Sequence, residues 1–227
     1  LSDELRQAKL IGRLNWRSSE LTRLTSWLLK TKGKTGRTNL LIVVLSLILT
    51  GCMATQASIQ TQLTDRPTLE STIASIRAEH GQAQEQLTFV YLTRHAQKLM
   101  EPDRDPDLSE AGYATANRLS AQLRQVPLHT IYSTPFKRTT QTATPTADKR
   151  QLPVQQLMLS AQEMALKINA LHQGQGVLVV GHSNTTPALL QALGVTQKVV
   201  IDHEQYGDLY LVVLREGKLV HFSQRKY

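Results

Sequence analysis

Apolar positions along the chain fall into runs of distinct period. Thr68–His80 carries Leu69, Ile73 and Ile76 at helical spacing, with Thr68 or Ser71 available as a cap, and reads as a short helix packed on a domain or lying outside it. Leu87–Thr93 (LTFVYLT) and Gly176–Val180 (GVLVV) are brief, almost unbroken apolar runs, the pattern of strands buried on both faces. Ser109–Gln125 presents Ala116, Leu119 and Leu123 as one stripe, with Ser109 as cap and Gly112 as a close-packing point on the same face. Further along, the pattern predicts a strand over Thr130–Tyr132 and a helix over Phe136–Ala143, started by Pro135 and limited by Pro145. Leu152–Leu157 reads as a strand, Ala161–Leu171 as a helix, and Thr186–Leu193 as another helix. Asp208–Leu214 and Lys218–Phe222, separated by Arg215-Glu216-Gly217, predict a terminal hairpin. Strands alternating with helices predict an α/β three-layer sandwich. Its central sheet is mostly parallel, flanked by helices and closed by an antiparallel edge.

One apolar run does not belong to that domain. Leu40–Thr50 is uncharged, follows a positive block of Lys30, Lys32, Lys34 and Arg37, and ends at Gly51-Cys52. A charged segment, a short apolar segment and a small residue describe an export signal. The run is about half of the ~20 residues a spanning helix needs. Leu49-Thr50-Gly51-Cys52 resembles the lipobox of bacterial lipoprotein signal peptides, which implies lipidation at Cys52 and a membrane anchor. Met53 stands where that family's inner-membrane retention signal has Asp, so the expected location is the cell envelope, facing the periplasm, and the outer membrane in particular. The polar stretch 53–67 reads as a tether. The sequence thus divides into an extension and signal (1–51), an anchored tether with a short helix (52–86) and a domain (87–227). Residues 1–39 are long for a signal's charged segment and the chain opens on Leu. The pattern therefore predicts a translation start near Leu28 or Leu29. Gly33-Lys34-Thr35 lacks the upstream glycine of a phosphate-binding loop and is set aside.

Charge and cysteine content change the picture only once they are located. The 227 residues hold 26 Lys/Arg and 18 Asp/Glu, a formal net charge of +8. Residues 1–51 carry nine basic and three acidic side chains, a net +6, and residues 52–227 carry seventeen and fifteen, a net +2. The basicity belongs to the signal region, and the nucleic-acid reading that a basic chain invites is excluded for the domain. A single cysteine excludes a disulfide framework and a zinc site built on several thiolates, and no metal-ligand spacing is present.

Chemistry-bearing residues gather at predicted strand ends. Leu87–Thr93 runs into Arg94-His95, and Gly176–Val180 into Gly181-His182-Ser183-Asn184. A third strand end offers Ser133-Thr134-Pro135, with Lys137 and Arg138 in the next helix's first turn. Open parallel sheets bind ligands beyond the carboxyl ends of their strands. Two arginines and two histidines converging there make a cationic pocket suited to phosphate, assisted by helix N-termini after Pro135 and Asn184. His80, His129, His172, His203 and His221 are scattered and suit surface or structural roles.

Four stretches in this order resemble the histidine phosphatase superfamily, which has the phosphoglycerate mutase-like fold. They are Thr93-Arg94-His95-Ala96, then Leu108-Ser109-Glu110-Ala111-Gly112. Ser133-Thr134-Pro135-Phe136-Lys137-Arg138 with Gln141-Thr142-Ala143 follows, and Val180-Gly181-His182-Ser183-Asn184 is last. The resemblance implies a cofactor-independent phosphatase of small phosphorylated substrates. His95 would form the phosphohistidine, with Arg94, Arg138 and His182 as catalytic companions. Arg94 and Arg138 would hold the phosphate, and Asn184 would add a hydrogen bond or simply cap its helix. The three cationic neighbours are expected to lower the His95 pKa and keep it neutral. Many members carry an acidic general acid after the Gln-Thr-Ala helix, whereas Val154–Ala161 (VQQLMLSA) has none. Glu163 is nearest, and Glu101, Asp103 and Asp105 are the alternatives. A missing acid favours good leaving groups. A non-catalytic phosphate- or phosphoglycan-binding lipoprotein and a mutase-type phosphotransferase are the competing readings.

Overall fold

The computed structural model describes residues 67–80, 86–100 and 104–227, and Pro67–Tyr227 forms one compact unit. The signal pattern, Cys52 and most of the tether lie outside the described residues, as do Glu101 and Asp103. In chain order the elements are α1 (Leu69–His80), β1 (Leu87–Arg94), α2 (Glu110–Gln122), β2 (Thr130–Ser133) and α3 (Lys137–Arg150). After these come β3 (Val154–Gln156), α4 (Ala161–Leu171), β4 (Gly176–Gly181), α5 (Thr185–Ala192), β5 (Asp208–Arg215) and β6 (Lys218–Lys226). Among the described residues no helix is long and apolar enough to cross a membrane.

Six strands form one sheet in the order β3-β2-β4-β1-β5-β6. The pairs β3–β2, β2–β4 and β4–β1 are parallel, and β1–β5 and β5–β6 antiparallel. The expected mostly parallel sheet with an antiparallel edge is what the chain builds. Period-two alternation hides inside the largely apolar, fully buried strands. Phe89, Tyr91, Leu178 and Val180 face a cluster with Leu69, Ile73 and Ile76 of α1, Leu119 of α2 and Ala143 of α3. Val90, Leu92, Val177 and Val179 face a second cluster with Met164 and Ile168 of α4 and Leu189 of α5. Each strand feeds two cores, so α1, α2 and α3 cover one face and α4 and α5 the other. α1 is capped by Thr68, whose hydroxyl accepts from the Ser71 amide at 3.1 Å, and it packs into the first cluster.

Two boundaries differ from the pattern by the most residues. Pro145 does not end α3, which continues to Arg150. A helix-interior proline costs ~3 kcal/mol because it lacks an N–H and crowds the carbonyl four residues back. Here burial of Thr139, Thr142, Ala143, Thr146 and Ala147 along one face holds the helix together, and the Ser120 hydroxyl takes up the Pro145 carbonyl at 2.8 Å. α3 stops instead at Gln151, whose φ of 53° is left-handed. β6 runs on to Lys226, four residues past Phe222, because backbone pairing to β5 supports a polar edge strand that has little apolar signature.

Candidate active site

The parallel register decides what meets at the carboxyl edge of the sheet. Arg94 at the end of β1 pairs with Gly181 at the end of β4, so the next residues, His95 and His182, leave the sheet side by side. The His95 amide donates to the Gly181 carbonyl at 2.9 Å, and the two imidazoles sit 5.4 Å apart, edge to face. β2 ends beside β4 at Ser133–Val180, which brings Thr134 and the start of α3 to the same edge. The four side chains expected to share one pocket, Arg94, His95, Arg138 and His182, all line a single cavity of about 750 Å³, with Asn184 on its wall.

His95 is nearly buried, 4% exposed. Its Nδ1 lies 2.8 Å from the Ala96 carbonyl, an acceptor only, so Nδ1 carries the ring proton and Nε2 keeps its lone pair. Burial first, then the charges of Arg94, His182 and Arg138, push its pKa down to about 3 against the opposing pull of the Ala96 carbonyl. The expected direction holds, with desolvation rather than the cations as the main cause. The backbone that carries His95 is pinned from α3, where the Thr142 hydroxyl accepts from the Ala96 amide at 2.9 Å and donates to the Arg138 carbonyl at 2.7 Å. Gly112 matters here as well. A Cβ at that position would stand 2.0 Å from the Gln97 carbonyl oxygen, so α2 can approach the segment after His95 only with glycine there.

His182 has the opposite tautomer. The single proton of the Thr139 hydroxyl goes to the carbonyl of Thr134 or Phe136, each 2.8 Å away. The Thr134 hydroxyl, 2.9 Å from that of Thr139, must then donate to it, and so accepts from His182 Nε2 at 2.9 Å. Burial, with Arg138 and Arg94, holds the His182 pKa at about 4, and Asp105 pulls it the other way. The ring stands edge-on to Phe136 at 5.2 Å.

The arginines are held differently. Arg94 Nη1 donates to the carbonyls of Asp202, His203 and Gln205 at 2.8 to 3.0 Å. Its Nη2 reaches the Tyr206 hydroxyl at 3.3 Å, its carbon lies 4.1 Å above the Tyr206 ring, and Nε is buried with no partner among the described residues. Much of this guanidinium therefore holds the loop 202–206 in place at the edge of the cavity. Arg138 lies over Phe136, 4.4 Å from the ring centre, and its Nη1 is 3.4 Å from an Asp105 carboxylate oxygen. Both Asp105 oxygens also accept from the Lys137 amide at the start of α3. The helix terminus expected to face phosphate already faces a carboxylate. Lys137 points to Asp107, 3.7 Å away and half-exposed.

Asn184 precedes α5, makes no side-chain capping bond and is exposed at the cavity wall, while the Thr185 hydroxyl accepts from the His182 amide. Glu163 is taken up by a capping box with Ser160, whose amide and hydroxyl donate to it and keep its pKa low. Neither it nor Asp105 lines the cavity, and Asp105 is an acid whose charge acts on His182. Two participants, Thr134 and Tyr206, had no assigned role in the sequence reading, and a third, His203, was expected at the surface or in a structural role. Thr134 and Tyr206 carry no signal beyond type, and His203 gives its carbonyl to Arg94 and lines the cavity. Among the described residues no group of three or more His, Cys, Asp or Glu is placed to hold a metal ion.

Comparison with known proteins meets this geometry at its first half. Residues 90–159 match the histidine phosphatase superfamily, branch 1. That stretch holds Arg94, His95, Arg138 and all of α3. The protein histidine phosphatase SixA, solved with tungstate, is 21% identical, covers 61% of this chain and 96% of its own, and superposes with a TM-score of 0.54. A mycobacterial glucosyl-3-phosphoglycerate phosphatase is 14% identical, with 62% and 98% covered and a TM-score of 0.50. These likenesses establish the phosphoglycerate mutase-like fold. No curated protein sequence matches the chain.

Proposed function

We propose that the protein is a phosphohydrolase that works through a phosphohistidine at His95, on a small phosphomonoester or a more activated phosphoryl donor. One observation carries this reading: His95 is held neutral with Nδ1 bonded to a backbone carbonyl, which leaves Nε2 as an unprotonated nucleophile among Arg94, Arg138 and His182. Attack of Nε2 on phosphorus breaks the bond to the leaving oxygen. Arg138, Arg94 and the Asn184 amide hold the phosphoryl oxygens where charge develops. Water then cleaves the phosphorus–nitrogen bond, releases phosphate and restores His95. The lack of a carboxylate over Val154–Ala161 restricts efficient turnover to leaving groups that need little protonation. Arg94, His95 and Arg138 lie within the match over residues 90–159, and SixA, which shares the fold, is a protein histidine phosphatase.

Acid quench with labelled phosphoryl donors tests the reading. Wild type should trap acid-labile label that His95→Ala loses, and absence of label with several donors would overturn it in favour of a non-catalytic binder. Phosphate release without an isomerised product excludes phosphotransfer of the mutase kind. Export and lipidation at Cys52 belong to the same proposal, supported by the signal pattern of residues 30–52. Incorporation of labelled palmitate, lost in Cys52→Ala, is the expected result.

A further inference from the structure

The cavity of about 750 Å³ is far larger than a phosphate group, and its two ends differ in chemistry. Histidine and arginine make one end. The other is made by Leu157, Met158, Leu159, Ala161, Met164 and Leu189. The sequence builds that wall deliberately. β3 ends after three residues, the Leu157 amide still donates to the Ser133 carbonyl at 2.9 Å, and the capping box of Ser160 starts α4. Residues 157–159 are thereby fixed at both ends along the sheet's carboxyl edge, beside the site. Leu157 is part-buried on the cluster of Met164 and Leu189, while Met158 is 64% exposed and Leu159 38%. Large apolar side chains left in water at the mouth of a cavity have surface still to bury. The same wall is poor in free polar groups, because the Ser160 hydroxyl is engaged with Glu163. A sugar or polyol would find few partners there.

We infer that the substrate is an amphiphilic phosphomonoester, a phosphate carried on an apolar carbon body that lies against Leu157, Met158 and Leu159. This rests on the phosphatase reading for its chemistry and on the wall for its selectivity. Lys98 and Arg104 on the remaining rim stay with the phosphate's charge. Methionine suits such a wall, since its flexible thioether adapts to bodies of different shape.

The test holds the phosphoryl end constant and lengthens the other. Phenyl phosphate, 4-ethylphenyl phosphate and 4-butylphenyl phosphate have nearly the same leaving group, and 4-(2-hydroxyethyl)phenyl phosphate adds a polar tip. The expected result is a rise in kcat/KM of about fourfold per methylene until the wall is covered. The hydroxyethyl compound should fall back towards phenyl phosphate. The matching phenylphosphonates, which cannot be hydrolysed, should show the same trend in calorimetric affinity. The double variant Met158→Gln with Leu159→Gln, both at partly exposed positions, should flatten both series to under about twofold per methylene, and Met158→Leu should keep them. A flat series in wild type, or an unchanged slope in the double variant, overturns the inference. Phosphonate affinity that climbs with chain length while no donor labels His95 would instead overturn the phosphatase reading and leave the amphiphile site standing.

Discussion

His95 and His182 occupy equivalent places, one residue past the ends of two paired parallel strands, yet their surroundings set them to different tasks. His95 is almost sealed and bonds through Nδ1 to the backbone beside it. His182 is more open and bonds through Nε2 to the Thr134 side chain. Both are neutral near pH 7, with pKa values of about 3 and about 4. What separates them is which nitrogen keeps a lone pair, and that is decided by one carbonyl in the first case and by a chain of two threonine hydroxyls in the second. Topology supplies the pair of histidines, and second partners assign the roles.

The most direct way to break the comparison is to remove each ring in turn. His95→Ala should lose trapped label entirely and lower kcat/KM on the order of 10⁴-fold or more, since no nucleophile remains. His182→Ala should keep measurable label on His95 and lose about 10²- to 10³-fold. If His182→Ala lost the label and His95→Ala kept it, the roles would be reversed. Arg138→Ala comes next. A cation at the phosphoryl oxygens is worth about 10²-fold in kcat, a loss read by steady-state kinetics with the fold checked by circular dichroism.

Thr134 sharpens the comparison without removing either ring. Nitrogen-15 NMR of the imidazoles should show His95 protonated at Nδ1 and His182 at Nε2. Thr134→Val deletes the acceptor at His182 and should shift the His182 resonances alone. A parallel shift at His95 would mean that the two tautomers are coupled and not set separately. Thr142→Val is the counterpart on the His95 side. It leaves the buried Ala96 amide unpaired, which costs ~1–3 kcal/mol of stability by chemical denaturation.

Legibility in the sequence follows the same division. The strand ends, His95, His182 and the layer order could be read because apolar runs of strand length end abruptly in charged or histidine residues. The two faces of each strand could not be assigned from LTFVYLT or GVLVV, because apolar residues occupy both faces and only the packed helices show which side is which. Pro145 misleads as a helix end because its cost is local while the compensating burial of Thr142 and Thr146 is tertiary. Thr134 and Tyr206 were invisible for a related reason, since their roles depend on the distance to His182 and Arg94 across the fold. The Arg94 fork shows the limit most clearly. Residue type suggested a phosphate clamp, whereas its Nη1 is spent on three backbone carbonyls of a distant loop.

Acid titration reports the comparison through stability. Both folded-state pKa values lie below the ordinary histidine value of 6.5, so the folded protein binds fewer protons than the unfolded chain between about pH 6.5 and 4. Stability contributed by the neutral rings is therefore complete above pH 6.5 and is lost as pH falls towards the folded values. Tm should decline over this window, and His95→Asn should decline less than wild type. His182→Asn should make a smaller difference because its ring is more open to solvent. Equal slopes for all three proteins would show that neither ring is held neutral by the fold.

The smallest expected effect concerns Asp105, a negative charge that acts on His182. Asp105 bridges the start of α3 and Arg138 and opposes the lowering of the His182 pKa. Substrate phosphate and this carboxylate compete for the same cation, and Asp105 raises the His182 pKa against its other neighbours. Asp105→Asn keeps an oxygen for the Lys137 amide and removes the charge. Arg138 should then bind inorganic phosphate more tightly as a competitive inhibitor, by about threefold, the scale of a partly exposed ion pair. The gain should shrink as salt is raised, since screening weakens the interaction that was removed. The His182 pKa should move further down while that of His95 stays put, a difference that histidine NMR titration can resolve. Unchanged phosphate inhibition would mean that the carboxylate merely caps α3, and equal movement of both histidines would mean that the two strand ends share one electrostatic environment after all.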